Sequence, residues 1–590
     1  MQIPRLAPRL AATLAVAPLL ALAPTSLRGQ EADLILTGGR IWTGNEAQPW
    51  AEAVAVRDGR FLRVGRDADV VAHRGATTRV IALAGRFVTP GFIDNHTHFN
   101  QAGALLLGVN LLDVAEPQAF AARVKGARDR LPAGAWITGG DWGAYEDWRA
   151  NSAGAAPAGA PRARFAPDRR LVDSITPATP VLLQRWDRSA HLANGAALAA
   201  ARLACAQPVE GLECVGGVAT GRVAGAALAR LQQAIPPRSF EQRLREARTA
   251  LAHLNALGVT GINDITPPEQ LPVYHALKQR GELTVRVYAR PTLDKWDDLA
   301  AVGIPHGFGD DWLRIGGLKG FVDGIQGNST ARFYEPQLHS GRRGEWRDST
   351  NTAATSGPGS GMQPAGTMLA NLRGADRTGQ WPQVHAIGDE AIDTLLTLYE
   401  QVMAENPPRE RRFRIIHSQV LRNAAVAGRY ARLGIIAEVQ PYHAIDDMRW
   451  MEQRIGARAR WAYAFRTLQD SGVMLTFGSD WPGTNAAWYT ADPMKILYAA
   501  VTRQTLDGTP AGGWNPQERL DLSRSLVAYT AANAWAMGEE ATRGKVMPGM
   551  LADLAVLDHD LFAIPPERLK DVQVVLTIVG GRVVFDRAGK

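Results

Sequence analysis

The sequence contains five short apolar runs that each carry, near their carboxyl end, a residue able to bind a metal ion. A parallel (β/α)8 barrel places its active residues at the carboxyl ends of its strands. Each run breaks at Gly, Pro or a polar cluster, so the pattern predicts an α/β protein with a TIM-like barrel and a metal site at its mouth. The runs are VTPGFIDNHTH, LRIGGLKG, WPQVHAIGD, RIIHSQV and VMLTFGSDWP, and they supply His96, His98, Lys319, His385, His417 and Asp480.

Helical patterns alternate with these runs, which is the order of a parallel barrel. One of them, SFEQRLREARTALAHLNALG, begins at a Ser and stops at Gly258, as helices often do. We assign residues 88–540 to the barrel. Alternating apolar and polar residues around Gly turns in 31–87 and 541–590 predict short antiparallel strands, and we expect both chain ends to form one small β-sandwich.

Two segments interrupt the barrel pattern. The 221 positions between His98 and Lys319 exceed the length of two or three βα units, which predicts an insertion at about 136–235 that covers the barrel mouth. Residues 339–365 are rich in Gly, Ser, Thr and Pro and predict a long loop. Such loops are often functional, and both a mobile lid and a passive insertion fit this one.

The first thirty residues have the pattern of a secretory signal. Arg5 and Arg9 precede an Ala/Leu-rich stretch, and small residues follow it, which predicts cleavage after export to the periplasm or the medium. An uncleaved anchor would need about 20 unbroken apolar residues. Pro18 and Pro24 interrupt a shorter run here, so we expect no stable membrane span.

The charge distribution indicates which classes of partner the chain can bind. The formal net charge is +7, but Lys and Arg are dispersed among acidic residues, so nucleic acid is not indicated as a partner.

Cys205 and Cys214 are the only two cysteines. In an oxidising compartment they can form a disulfide, although two unpaired thiols remain the alternative. The oligomeric state stays open, with a homo-oligomer as one outcome.

The residue types at the run ends suit a divalent ion. His96 and His98 are two positions apart, and strand side chains with that spacing point the same way. His385 and His417 can complete the shell of a second ion. Asp480 can act both as a ligand and as a general base. Imidazoles with carboxylate-type groups suit zinc best, while manganese, cobalt and iron are also compatible.

Lys319 is unusual because it lies in an apolar strand. A buried ammonium is costly, and burial favours the neutral amine. A neutral amine can take up carbon dioxide and become a carbamate, whose two oxygens can bridge two ions. The alternative is an ammonium paired with Asp323 or Asp480.

At these residues the chain resembles the amidohydrolase superfamily, in particular the amidohydrolase 3, YtcJ-like group that includes N-substituted formamide deformylases. The resemblance implies a binuclear site: His96 and His98 hold one ion, His385 and His417 hold the other, carbamylated Lys319 bridges them, and Asp480 binds the first ion as the base. It also implies that a bridging hydroxide attacks the amide carbonyl of a small molecule. The motifs that carry it are PGFIDNHTHF, SAHLANGAAL, LKGFVDG, VHAIGDEAID, IIHSQV, VQPYHAIDD, GSDWP and GMLADLAVLD.

Two departures from the family pattern are visible. Met550 stands where the tail often has Lys, but this position is remote from the site. The segment after GSDWP, GTNAAWYTADP, is individual and leaves the substrate pocket undefined.

Substrate contacts are predicted on two segments. His191, Trp142 and Tyr145 belong to the insertion, where a capping or packing role is the alternative. Gln440 and His443 follow a strand between those of His417 and Asp480, which favours a position near the site.

Other functions have less support. Esters, lactones and cyclic imides could be hydrolysed in the same site, since a metal hydroxide attacks all these carbonyls. A binding protein without chemistry would have no need of Asp480. A serine hydrolase is disfavoured because no GxSxG motif is present; the nearest segment, GNSTA, lacks the final Gly.

Overall fold

The computed structural model describes residues 31–112, 114–132, 134–143, 165–186, 189–347, 367–483 and 489–589. The predicted signal segment, Tyr145 and the part of the predicted loop beyond residue 347 lie outside the described residues. Within them, no helix is long and apolar enough to cross a membrane.

Two mainly parallel sheets form the centre of the chain. In the first sheet β1 (Phe92–Thr97), β2 (Val259–Ile265) and β3 (Arg286–Arg290) pair in parallel. Beyond β3, Leu313–Ile315 pairs in parallel with it and antiparallel with Phe308–Gly309. The second sheet pairs β4 (Leu318–Phe321), β5 (Pro382–Ala386), β6 (Arg414–His417), β7 (Ile436–Val439) and β8 (Leu475–Phe477) in parallel and in chain order. Isolated parallel bridges join Thr292, just after β3, to Lys319, and Thr97 to Trp481, just after β8. These two bridges connect the two sheets.

Helices alternate with these strands and bury one apolar face against them. The Phe240–Ala256 helix begins at Ser239, whose hydroxyl accepts a hydrogen bond from the Gln242 backbone at 3.2 Å, the usual N-cap arrangement. Among the described residues after β1, the α-helices are Phe99–Leu107, Pro117–Arg130, Arg170–Asp173, Gly195–Ala200, Gly225–Ala234, Phe240–Ala256, Leu271–Gln279, Trp296–Ala301, Thr367–Arg377, Asp389–Glu405, Ala425–Leu433, Pro441–Asp447, Met451–Ile455, Phe465–Asp470, Pro493–Thr502, Leu522–Ala528 and Ala531–Ala536.

Strands from both chain ends share one six-stranded sheet. It joins Arg40–Trp42, Trp50–Ala51 and Phe87–Pro90 to Leu554–Leu557, Val574–Val579 and Arg582–Asp586. A second sheet has four strands, which are Ala32–Thr37, Ala53–Arg57, Arg60–Gly65 and Arg74–Ala82. The short helix Asp67–Val71 connects the last two of these strands. Leu34 and Val56 of this second sheet pack in one buried cluster with Val88 and Ile578 of the first.

The predicted insertion has a sheet and cores of its own. The sheet combines Val109–Asn110, Ile137–Trp142, Val181–Arg185, His191–Ala193, Leu212–Val215 and Val218–Val223. Phe120, Ile137 and Leu183 belong to one buried cluster beside it. Val109–Asn110 and Phe120 precede the predicted bounds of about 136–235. Cys205 and Cys214 are bonded, with an S–S distance of 2.04 Å, which confirms the predicted disulfide.

Candidate metal centre

The predicted histidines meet at the carboxyl ends of β1, β5 and β6. The ring centre of His417 lies 5.1 Å from that of His96 and 4.5 Å from that of His385. Asp480 follows β8, and its Oδ1 lies 3.3 Å from His96 Nε2 and 3.1 Å from His98 Nε2. His96, His417 and Asp480 offer ligand atoms within 4.8 Å of one another. The fold thus brings together residues from opposite ends of the sequence.

Unusual backbone conformations aim two of these side chains. His417 and Asp480 have φ angles of +74° and +58°, a left-handed region that non-glycine residues rarely adopt. Such strain persists where the surrounding structure enforces it, often at functional sites. The Asp480 backbone N–H donates to the His96 carbonyl at 2.8 Å, which ties the end of β8 to β1.

Three histidines are each held through one ring nitrogen. His96 Nδ1 lies 2.7 Å from Glu438 Oε1, His385 Nε2 lies 2.8 Å from the Gly324 carbonyl, and His417 Nδ1 lies 2.8 Å from Gln440 Oε1. Each of these hydrogen bonds leaves the other ring nitrogen as the one that can bind an ion. Burial is the main cause that lowers the pKa of all three imidazoles, so they are neutral near pH 7. Neutral rings with their outer N–H engaged are what a metal site requires, and these residues fit one.

The amine of Lys319 is fully buried, and its Nζ has no hydrogen-bond partner among the described residues. Burial, and then the charge of Arg290, lower the pKa of this amine to about 7. Asp323 instead accepts hydrogen bonds from the backbone N–H groups of Ile387 and Gly388 at 3.1 and 2.9 Å. The described residues therefore contain no ion pair between Lys319 and a carboxylate, and the amine is suited to carbamylation.

Asp480 is an ionised carboxylate in this environment. Burial raises its pKa, but the hydrogen bond and the charge interaction with His98 oppose burial, and the pKa lies well below its usual range. An ionised carboxylate beside a metal can serve as a ligand and accept a proton.

Of the residues predicted to contact the substrate, Gln440 and His443 lie beside the candidate metal ligands. Gln440 uses its carbonyl to hold His417, while its amide Nε2 is buried without a partner in the described part of the chain. His443 Nε2 lies 3.7 Å from Asp480 Oδ2, and its ring stacks on Tyr489 with 3.9 Å between ring centres. His443 therefore lies beside the Asp480 carboxylate, and its contact with a substrate stays a prediction.

Two other residues predicted to contact the substrate, Trp142 and His191, lie in strands of the insertion sheet. Trp142 is buried in the insertion core, with its ring centre 6.4 Å from that of Phe120, as expected of a packing aromatic. His191 lies in the His191–Ala193 strand, opposite Gln184 and Val223. Contacts of these residues with a substrate stay predictions.

Sequence reasoning missed Glu438 and Tyr489 and assigned Asp323 only as a partner for Lys319. Glu438 is fully buried within the apolar β7 strand. A charged residue inside an apolar run was the signal that identified Lys319, and the same signal is present in IIAEV. Tyr489 lies in GTNAAWYTADP, the individual segment after GSDWP, which carries no recognisable pattern.

Known proteins share this arrangement of elements. A model of the amidohydrolase family matches residues 79–585. The protein LONG AFTER FAR-RED 3 of Arabidopsis thaliana is 31% identical over 94% of this chain and 92% of its own length. An N-substituted formamide deformylase of Arthrobacter pascens is 24% identical over 95% of this chain and 99% of its own length. The crystal structure of an uncharacterized metal-dependent hydrolase from Pyrococcus furiosus superposes with a TM-score of 0.69, at 26% identity, over 89% of this chain and 99% of that one. The chain belongs to the amidohydrolase family.

Proposed function

We propose that this protein is an exported, metal-dependent amidohydrolase that cleaves a non-peptide C–N bond in a small molecule. The observation that carries the proposal is the convergence of neutral histidines, the buried Lys319 amine and ionised Asp480 at the carboxyl ends of parallel strands. The similarity to an N-substituted formamide deformylase supports an amide as the substrate. The isolated bridges that connect the two sheets support a (β/α)8 barrel around this site.

The ligand set suits two ions. His96, His98 and Asp480 would hold one ion, His385 and His417 the other, and Lys319, as a carbamate, would bridge them. Zinc fits these ligands best. Divalent ions bound there would polarise the amide carbonyl and lower the pKa of a water near it.

The protein's own groups then move the proton. Asp480 accepts a proton from the attacking water and delivers it to the departing nitrogen, so that an acid and an amine leave. His443, whose Nε2 lies 3.7 Å from Asp480 Oδ2, is placed to contact a substrate bound beside Asp480. Gln440 keeps His417 oriented through the 2.8 Å contact at Nδ1.

Export is a separate part of the proposal. It is supported by the signal pattern in residues 1–30 and by the Cys205–Cys214 disulfide, because structural disulfides persist mainly in oxidising compartments. Mass spectrometry of the mature protein from the producing cell tests it: a chain that starts near residue 31 is expected, and an intact amino terminus in the cytoplasm would contradict it.

The activity is tested by release of amine from the linear amides and of acid from the cyclic imide and the ester. Protein purified without chelator and supplied with zinc and bicarbonate is assayed with N-benzylformamide, an N-acyl amine, a cyclic imide and an aryl ester. We expect amine release that is lost on chelation. Hydrolysis of the ester or imide without hydrolysis of any linear amide would refute the amide assignment, and inactivity on all four would refute the proposed substrate class.

A further inference from the structure

A buried carboxylate lies directly behind His96. Glu438 of β7 is fully buried, and its Oε1 accepts a hydrogen bond from His96 Nδ1 at 2.7 Å. The two residues are 342 positions apart in sequence, so only the fold brings them together. Nothing in the proposed chemistry uses this carboxylate directly.

Two buried arginines fix the position of Glu438. Arg290 Nη1 donates to Glu438 Oε1 at 3.1 Å, and Arg414 Nη1 donates to Oε2 at 2.9 Å. Arg290 is itself held by the carbonyls of Asn95 and Asn263, both at 3.0 Å. Arg414 also donates to the Asn95 side chain at 2.8 Å. The carboxylate therefore has little freedom to turn away from His96.

Such a buried ionic cluster is not explained by stability alone. Removing charges from water is expensive, and well-packed apolar residues often stabilise a core as much or more. A carboxylate behind a metal-binding imidazole, in contrast, fixes the ring tautomer and orientation and makes the ring a stronger ligand.

The contact determines which nitrogen of His96 faces the centre. A carboxylate can only accept, so Nδ1 carries the proton and Nε2 keeps its lone pair. His96 Nε2 is buried without a hydrogen-bond partner among the described residues and lies 3.3 Å from Asp480 Oδ1.

We propose that Glu438, held by Arg290 and Arg414, is a positioning residue that presents His96 Nε2 to the ion shared with His98 and Asp480. The inference rests on the metal centre of the proposed function. It assigns to Glu438 control over the affinity of one ion, with no contact to the substrate.

Metal affinity, measured by competition with a chelator, tests the proposal. Glu438→Gln is expected to weaken binding of one of the two ions roughly 10–100-fold, the effect typical of lost outer-shell partners. The single variant leaves two buried arginines without a counter-charge and is at risk of misfolding. Glu438→Gln/Arg414→Gln restores the wild-type buried net charge and keeps the test valid if the single variant fails to fold.

Arg414→Gln is the matched control. It disturbs the same cluster, but Arg290 still holds Glu438 against His96, so both ions should bind with near wild-type affinity. The proposal requires weaker metal binding in the double variant than in Arg414→Gln, at equal melting temperature of the metal-free proteins.

Two outcomes would overturn it. Equal metal affinity of the double variant and Arg414→Gln would mean that Glu438 does not act on the ion. An equal loss in Glu438→Gln and Arg414→Gln would mean that the cluster acts only on the fold. Wild-type protein that binds no metal would instead refute the metal centre on which the proposal depends.

Discussion

Replacing Asp480 by Asn tests its role as a general base separately from its role as a metal ligand. The substitution keeps the shape of the side chain and an oxygen that can accept from His98, which lies 3.1 Å away in the wild type. It removes the negative charge and the ability to take a proton. We therefore expect Asp480→Asn to fold, to retain metal and to lose turnover.

The magnitude follows from the role of the carboxylate. Asp480 is held ionised by the hydrogen bond from His98, so the carboxylate is in its proton-accepting form at neutral pH. A positioned general base contributes about 10²–10⁴-fold in rate. This corresponds to roughly 2.7–5.4 kcal/mol of activation free energy.

The assay is steady-state amine release, with metal content measured on the same samples. Asp393→Asn is the control, since Asp393 is a half-buried carboxylate whose neighbours are Arg429, 3.7 Å away, and Tyr334. Its kcat should equal that of the wild type. Asp480→Asn that retains both metal and near wild-type kcat would refute the base assignment.

Three further predictions concern metal retention and stability. Lys319→Met removes a buried amine without a partner, so the metal-free variant should melt at or above the wild-type temperature while its metal content falls; unchanged metal content would contradict a bridging role. Tyr274→Phe removes a 2.8 Å hydrogen bond to buried Asp264 and should lower the free energy of unfolding by about 1.5–3 kcal/mol, and no change in denaturant unfolding would show that the bond contributes nothing. Replacing both Cys205 and Cys214 by Ala opens a short loop with a sequence separation of 9 and should cost at most about 3 kcal/mol in the chain-entropy model; a larger loss by the same measurement would require a packing role for the disulfide.

The convergence of the candidate ligands could be predicted from sequence because each of them follows a local signal. An apolar run that ends in His, Lys or Asp is visible without knowledge of the fold, and parallel strands place their carboxyl ends together. The Cys205–Cys214 bond was predictable for a similar reason, since these are the only two cysteines and they lie nine positions apart.

The residues behind the ligands could not be predicted in this way. The role of Glu438 depends on its contacts with His96, Arg290 and Arg414, which come from three other strands. Asp323 was considered as a partner for Lys319, yet in the fold it accepts from backbone groups after β5. The surroundings of Trp142 could not be predicted either, because an aromatic residue in a polar stretch gives no indication of whether it packs in a core or binds a substrate.

Metal content per chain tests the central claim most directly. Protein purified without chelator is supplied with zinc and bicarbonate, and its metal is counted by plasma mass spectrometry, with Lys319→Met as the reference. The arrangement of His96, His98, His385, His417 and Asp480 around Lys319 predicts about two ions per wild-type chain, as in two-metal sites, and fewer in the variant. One ion or none in the wild type under these conditions would contradict a bridged binuclear centre.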